Sequence, residues 1–294
     1  MIVVRRKFST VRSVEAHRLI VFRRIQKKGS GLLGLTDARI IPELHETLEV
    51  GENPILPRKN HPLTWQSMNT RDWMIDKSTV LATYAQTMIV GTFAWGALQL
   101  NATKEQNVLI IGSAGGVISN FLSSLPNQKI AVTSVEIDSV MKEIAERWFD
   151  FDESPSHQLI IEDGVDYVRK AADKGIKYDA ILLDVNHNSE LPLLAPVEAF
   201  LASDVIRNMR RILSSSGTAV VNIITLKPEY AAAYAHEIKR LFNEQFPSCY
   251  VKSQGFTERM LFCPADISNS WEMNASEIRR RYAEAKEAFK FELA

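Results

Sequence analysis

Asn107-Val108-Leu109-Ile110-Ile111-Gly112-Ser113-Ala114-Gly115-Gly116 is a short apolar run that ends in a glycine-rich loop. Five consecutive apolar or small-polar residues bounded by glycine predict a strand buried on both faces, as in the interior of a parallel sheet. The glycines let backbone approach a ligand, and the helix that follows turns its unpaired N–H groups toward ligand oxygens. Alone the loop is a weak signal. A dinucleotide fingerprint wants glycine at the third and sixth positions, where Ala114 and Val117 stand, and no Lys-Ser/Thr follows to make a phosphate loop.

Working toward the C-terminus, apolar strands and amphipathic segments alternate. Strands are predicted at 107–111, 130–136, 158–161, 179–184 and 218–224, with helices at 117–124, 139–150, 165–173 and 197–213 between them. Such alternation demands a parallel sheet with helices on both faces. A helix at 228–246 is followed by strands at 249–254 and 259–263 joined by the turn Gly255-Phe256-Thr257-Glu258, so the sheet should finish in an antiparallel hairpin. The expected fold is α/β, a doubly wound, mostly parallel sheet.

Three further strand ends carry acids. Glu136 stands at the tip of the second strand, where doubly wound folds place an acid to accept ribose hydroxyls, and Asp138 can cap the next helix. In Glu162-Asp163-Gly164 a carboxylate can accept from an adenine amino group while glycine turns the chain, although Asp163 is equally placed to cap the helix after it. Tyr178-Asp179-Ala180-Ile181-Leu182-Leu183-Asp184 brings Asp184 to the carboxyl edge of the sheet, where open α/β sheets bind ligands. Four strand-end features in this order make a strong signal together.

Toward the N-terminus the pattern differs. Residues 1–75 predict a small β-rich region, with a turn at Lys27-Lys28-Gly29-Ser30-Gly31 and Pro42, Pro54, Pro57 and Pro62 at intervals no helix tolerates. The first residues are basic and free of acid until Glu15, the composition of a mitochondrial presequence, but apolar and basic residues go on interleaving through Arg24, which favours a strand-rich lead-in. Residues 78–103 carry no charge over a length that could span a bilayer. Thr83, Gln86, Thr87, Thr92 and Gln99 interrupt them, so a buried helix over the site is expected instead. At the other end, residues 265–294 predict a charged helix whose i,i+4 pairs face solvent.

The hydrophobic fraction of 46% and only 13 Gly and 11 Pro exclude a disordered or fibrous chain. Lys+Arg and Asp+Glu are equal at 35 each, which argues against nucleic acid or a membrane as global partners. Cys249 and Cys263 are expected to be reduced core thiols, and with them an intracellular, cytoplasmic setting. His17, His45, His61, His157 and His236 show no metal-ligand spacing, so no metal is expected. Nothing in the residues decides between monomer and homodimer.

Asp76-Lys77-Ser78, Ala85-Gln86-Thr87-Met88-Ile89, the loop at 112–116, Val135 to Asp138, Trp148-Phe149, Asp163 to Tyr167 and Tyr178 to Val185 together resemble the spermidine synthase-like group of class I methyltransferases. The resemblance covers residues 75–264, so the organisation expected is a β-rich region at 1–75, a cofactor-binding domain at 76–264 and the charged helix at 265–294. It implies S-adenosylmethionine as cofactor, with Gln86, Gly112, Glu136, Asp163 and Asp184 around the nucleoside and its sulfonium arm, and Ser113, Gly115, Ile137 and Gly164 beside them. It is nearest to the branch that methylates the N-terminal amine of elongation factor 1A, which implies a protein substrate.

The rival is a polyamine aminopropyltransferase using the decarboxylated cofactor. Those synthases have acids where Gly115, Thr87 and His187 stand here. A diamine needs carboxylates to replace its water, and an acid beside the cofactor's amino-acid arm repels one that keeps its carboxylate. In the loop Asp184-Val185-Asn186-His187-Asn188, His187 could take the proton from an attacking amine, with Asn186 and Asp184 beside it, or be an exposed loop histidine. A cofactor-binding but inactive partner of another methyltransferase is the third reading.

Overall fold

The computed structural model describes residues 2–12, 17–27, 34–41, 74–187 and 189–293. The Lys28-to-Gly31 part of the predicted turn, the four prolines Pro42, Pro54, Pro57 and Pro62, and His45, His61 and Asn188 lie outside them.

The described residues form two sheets. Strands β1 (Ile2–Arg12), β2 (His17–Lys27), β3 (Gly34–Ile41) and β4 (Met74–Ile75) form an antiparallel sheet in chain order. The N-terminal strands are longer than the short ones predicted: β1 and β2 pair in unbroken register over 11 residues each, from Ile2 opposite Lys27 to Arg12 opposite His17.

The second sheet is built from β5 (Gln106–Ile111), β6 (Ile130–Glu136), β7 (His157–Ile161), β8 (Tyr178–Leu183), β10 (Leu213–Thr225), β11 (Tyr250–Gln254) and β12 (Glu258–Pro264), with the short β9 (Leu193–Ala195) on β10. Its order is β11-β12-β10-β8-β5-β6-β7. The strands from β7 to β10 pair in parallel, and β12 enters antiparallel between β10 and β11. The chain leaves β5 toward β6 and β7, then returns to place β8 on the other side of β5. That reversal opens a crevice at the carboxyl ends of β5 and β8.

Alternation along β5 sends Val108 and Ile110 to one apolar layer and Leu109 and Ile111 to the other, all at most 2% exposed. The first layer is covered by α1 (Thr83–Ala94), α2 (Val117–Ser124) and α7 (Trp271–Ala288), the second by α4 (Gly164–Asp173), α5 (Ser203–Ile212) and α6 (Pro228–Asn243), while α3 (Ser139–Trp148) packs beside β6 and β7. Helix α1 is the buried helix expected from the uncharged run, with Ala85 and Thr87 through Ala94 all buried. No helix among the described residues is long and apolar enough to cross a membrane.

Helix α7 has the expected laced outer face, where Arg280 bridges Glu277 and Glu284. Its inner face does more than predicted. Ile278 and Ala285 are buried against the first layer, and Phe289 packs edge-on to Phe93 and Phe121. Near its start Trp271 stacks on Tyr250, and Trp95 stacks on Phe262 with centroids 4.1 Å apart.

The cysteines correct the sequence reading. Cys249 and Cys263 are joined by a disulfide, with Cα atoms 4.3 Å apart, and no free cysteine occurs among the described residues. The reason is register: Tyr250 pairs with Phe262, so the next residues outward, Cys249 and Cys263, fall opposite each other across the antiparallel pair, where Cα atoms approach to about 4.5–5.5 Å. Reduced thiols therefore no longer support an intracellular setting.

Candidate functional site

Gly112 ends β5 at φ +89°, and a Cβ there would lie 2.3 Å from the Asp184 carbonyl oxygen. Only glycine lets β5 and β8 close this tightly, which explains the first residue of the loop. The chain then turns through Ala114 at φ +45° and Gly116 at φ +74° into α2. An alanine in the left-handed region is uncommon and costs local strain, a feature that concentrates at ligand-binding loops. The Ser113 hydroxyl oxygen is buried without a partner, and Ser113 lines the crevice.

Glu136 ties this loop to the end of β6. One carboxylate oxygen accepts from the amides of Ser113 and Ala114, both at 3.1 Å, and the other from Ile137 and Asp138 at 3.0 and 3.2 Å. A carboxylate has roughly four acceptor sites, so a diol would share or exchange these donors. Asp138 caps α3 through the Val140 amide at 2.9 Å, as its sequence position predicts. Asp163 caps α4, its Oδ1 accepting from Val165 at 2.8 Å and Asp166 at 3.4 Å. Beside these acids Ile137 and Ile161, at the carboxyl ends of neighbouring strands, are 70% and 40% exposed. An apolar, flat-sided group would find cover there.

Around the other side of the crevice the groups are brought together from distant segments. An open cleft is lined by Asp37 from β3, Tyr84 from α1, Gly112, Ser113 and Ala114 from the loop, and Asp184 beyond β8. Asn222, fully buried in β10, donates to Asp184 at 2.8 Å, and the Tyr84 hydroxyl faces the same carboxylate. Burial pushes the Asp184 carboxyl above its usual range, and the Asn222 and Tyr84 side chains only partly offset this. The Asp184 charge in turn raises the Tyr84 hydroxyl, with burial and contributions from Glu258 and Asp37. Glu258, at the start of β12, is raised by burial and then by Asp184. Two carboxylates on the cleft wall, Asp37 and Asp184, with a third, Glu258, near enough to act on Asp184, favour a cationic ligand.

The sequence-predicted residues separate into groups. Gly112, Ser113 and Asp184 line the cleft, Gly115 is buried in the loop, and Glu136, Ile137, Asp163 and Gly164 follow along the carboxyl ends of β6 and β7. The Gln86 amide donates to the Val80 carbonyl at 2.7 Å and so fixes the approach to α1. Asn186 is exposed, and the His187 ring pairs with Glu198 through Nε2 at 2.5 Å, off the cleft wall. Among the described residues, no group of three or more His, Cys, Asp or Glu side chains could hold a metal ion. Sequence reasoning missed Asp37, Tyr84, Asn222 and Glu258. Of these only Asn222 carried a signal, a lone amide inside the apolar run Ala219 to Ile224.

The family description "Spermine/spermidine synthase domain" matches residues 89–257. A Drosophila melanogaster protein named "eEF1A lysine and N-terminal methyltransferase homolog" is 27% identical over 164 residues, 55% of this chain and 24% of its own. The polyamine aminopropyltransferase of Vibrio vulnificus is 32% identical over 148 residues, 49% of this chain and 47% of its own. Human methyltransferase-like protein 13, solved in complex with SAH, superposes with a TM-score of 0.63 at 23% identity, covering 73% of this chain and 95% of that one. The chain thus spans about a quarter of the length of the methyltransferase relative and about half that of the aminopropyltransferase. With more than half its residues matched, the chain belongs to the spermine/spermidine synthase domain family.

Proposed function

We propose that this member of the spermine/spermidine synthase domain family is an S-adenosylmethionine-dependent methyltransferase acting on a protein amine. The observation that carries the reading is Asp184, a carboxylate held by Asn222 and Tyr84 at the switch-point crevice, directly across Gly112 from the glycine loop. The cradle suits the cofactor: a close-approach glycine, an unpartnered Ser113 hydroxyl and exposed Ile137 and Ile161 where a nucleobase would lie. Glu136 would hold the ribose by exchanging part of its amide donors, Asp163 would reach the adenine with the oxygen that does not cap α4, and Gly115 would leave room for the amino-acid arm. When bound, the cofactor supplies an electrophilic methyl group on a sulfonium.

The chain's own residues do the rest. Asp184 and Glu258 draw the acceptor in as an ammonium. Asp184 then orients the amine after its proton has passed to solvent water at the open cleft, with Tyr84 and Asn222 fixing the carboxylate so that little rearrangement is needed at the moment of reaction. The His187 ring is engaged by Glu198, so we place orientation on Asp184 and leave His187 and Asn186 to shape the loop over the site. The acceptor that the methyltransferase relatives suggest is elongation factor 1A, whose lysine and N-terminus both stand in their names; we take the N-terminal amine as the better fit, as the sequence resemblance implies.

One observation favours the second reading, polyamine synthesis. Asp37 and Glu258 restore negative charge that Thr87 and His187 do not supply. Against it stand Gly115, which offers no acid near the amino-acid arm, and Thr87, whose hydroxyl is committed to Gln254 at 2.9 Å. The test is one protein with two assay pairs. Mass spectrometry of elongation factor 1A after incubation with S-adenosylmethionine should show an N-terminal methyl group, and putrescine with the decarboxylated cofactor should yield no product. The reverse pattern would replace this reading with the second.

A further inference from the structure

The turn between β11 and β12 is built to hold one large apolar side chain in water. Gly255 takes φ +75°, and Arg259 Nη1 donates to the carbonyls of Gly255, Phe256 and Glu258 at 3.1, 3.4 and 2.7 Å. The Thr225 amide and hydroxyl both donate to the Thr257 carbonyl, at 3.0 and 3.2 Å. From below, Thr87 on α1 grips Gln254. On this pinned turn Phe256 is 85% exposed, and Leu226, next to Thr225, is 40% exposed. A phenyl ring left in water on a rigid support forgoes the burial that a mobile turn could find for it.

Register connects this tip to the cleft. Asn222 pairs with Met260 and Ile224 with Glu258, so Asn222 and Glu258 share one face of the sheet, two residues apart along their strands. Asn222 holds Asp184. Glu258 therefore lies on the Asp184 side of the sheet, close enough for the two charges to act on each other, and Phe256 lies at most about 7 Å further along the chain, the span of two extended residues.

We infer that the β11–β12 turn docks a polypeptide acceptor, with Glu258 taking its terminal ammonium at the mouth of the cleft and Phe256 packing on the residues behind it. This rests on the protein-amine reading above and goes beyond it by naming the element that distinguishes a polypeptide from a free diamine. Charge complementarity selects the occupant: an acidic mouth next to an apolar post fits a chain that is cationic at its end and apolar just behind. A diamine is cationic at both ends and gains nothing from Phe256.

The experiment uses the full chain and a fluorescent peptide of the N-terminal residues of elongation factor 1A, with its α-amine free or acetylated. Anisotropy gives peptide affinity, and methylation kinetics give KM and kcat. Phe256→Ser should weaken the free-amine peptide and raise its KM about tenfold, with kcat held within about twofold, and Phe256→Tyr should restore it. Acetylation should weaken the wild-type complex and do little more to Glu258→Gln, because both changes remove the same ion pair. If the wild type methylates the peptide and Phe256→Ser binds it equally well, the docking inference is overturned while the methyltransferase reading stands. If the wild type neither binds nor methylates the peptide, both fall.

Discussion

The two halves of the crevice use the same side chain, the carboxylate, in opposite ways. At the ends of β6 and β7, Glu136, Asp138 and Asp163 accept from neighbouring backbone amides, and each bond closes within about one turn of chain or to the adjacent loop. At the ends of β8 and β12, Asp184 and Glu258 are held in partly buried surroundings, Asp184 by side chains from α1 and β10, and both carboxyls are pushed above their usual range. The first half is a preformed frame, whose acids shape backbone. The second keeps charge where burial opposes it, a cost that a fold retains when a cation arrives to offset it.

The largest effect that would break this contrast is expected at Asp184. Asp184→Asn keeps size and an acceptor for Asn222 but removes the charge, and methyl transfer should fall about 10²- to 10³-fold. Stability should move the other way. A carboxyl whose folded pKa is raised binds more protons folded than unfolded, so its contribution to stability declines as pH rises from the unfolded value through the folded one. The asparagine variant escapes that loss, and its thermal midpoint at neutral pH should match or exceed the wild type. A midpoint that drops together with activity would make Asp184 a scaffold residue like those of the other half.

Gly112→Ala strikes the seam between the halves. Its Cβ would meet the Asp184 carbonyl at 2.3 Å with φ at +89°, so we expect a loss of about 2–4 kcal/mol and a midpoint lowered by several degrees. An unchanged melting curve would mean that β5 and β8 can part freely.

Smaller again is Glu136→Ala, expected to weaken S-adenosylmethionine by about one to two decades as ribose contacts worth ~1–3 kcal/mol are lost. Calorimetry reads it directly. Smallest is Tyr84→Phe, which removes the hydroxyl, one of the two groups that pull the Asp184 carboxyl down. The acid limb of the pH–rate profile should move to higher pH, with only a few-fold change at the plateau. A profile that stays in place would detach Tyr84 from Asp184.

The contrast also explains what the sequence disclosed. The frame was legible because each part carries its own local signal: a strand runs into a glycine loop, a strand into an acid, and an acid into a helix cap, each within about ten residues, and the helix at Val117–Ser124 and strand at Ile130–Glu136 fall where periodicity predicts them. The half around Asp184 and Glu258 is assembled by topology. Asp37 comes from the N-terminal sheet, Tyr84 from a helix that precedes β5, and Glu258 from a hairpin whose Glu was predicted as a turn residue. No local pattern links positions 37, 84, 184 and 258. The disulfide was hidden for the same reason, since the β11–β12 register decides that Cys249 meets Cys263.

Binding and chemistry measured on the same two variants test this division most directly. Calorimetry gives the affinity for S-adenosylmethionine, and single-turnover transfer at saturating cofactor gives the rate of the chemical step. Glu136→Ala should lose affinity while its saturated transfer rate stays near wild type, and Asp184→Asn should keep most of its affinity while its rate collapses. If both variants lose affinity and rate in the same proportion, the crevice is one cooperative unit and the division into a cofactor frame and an acceptor site is wrong.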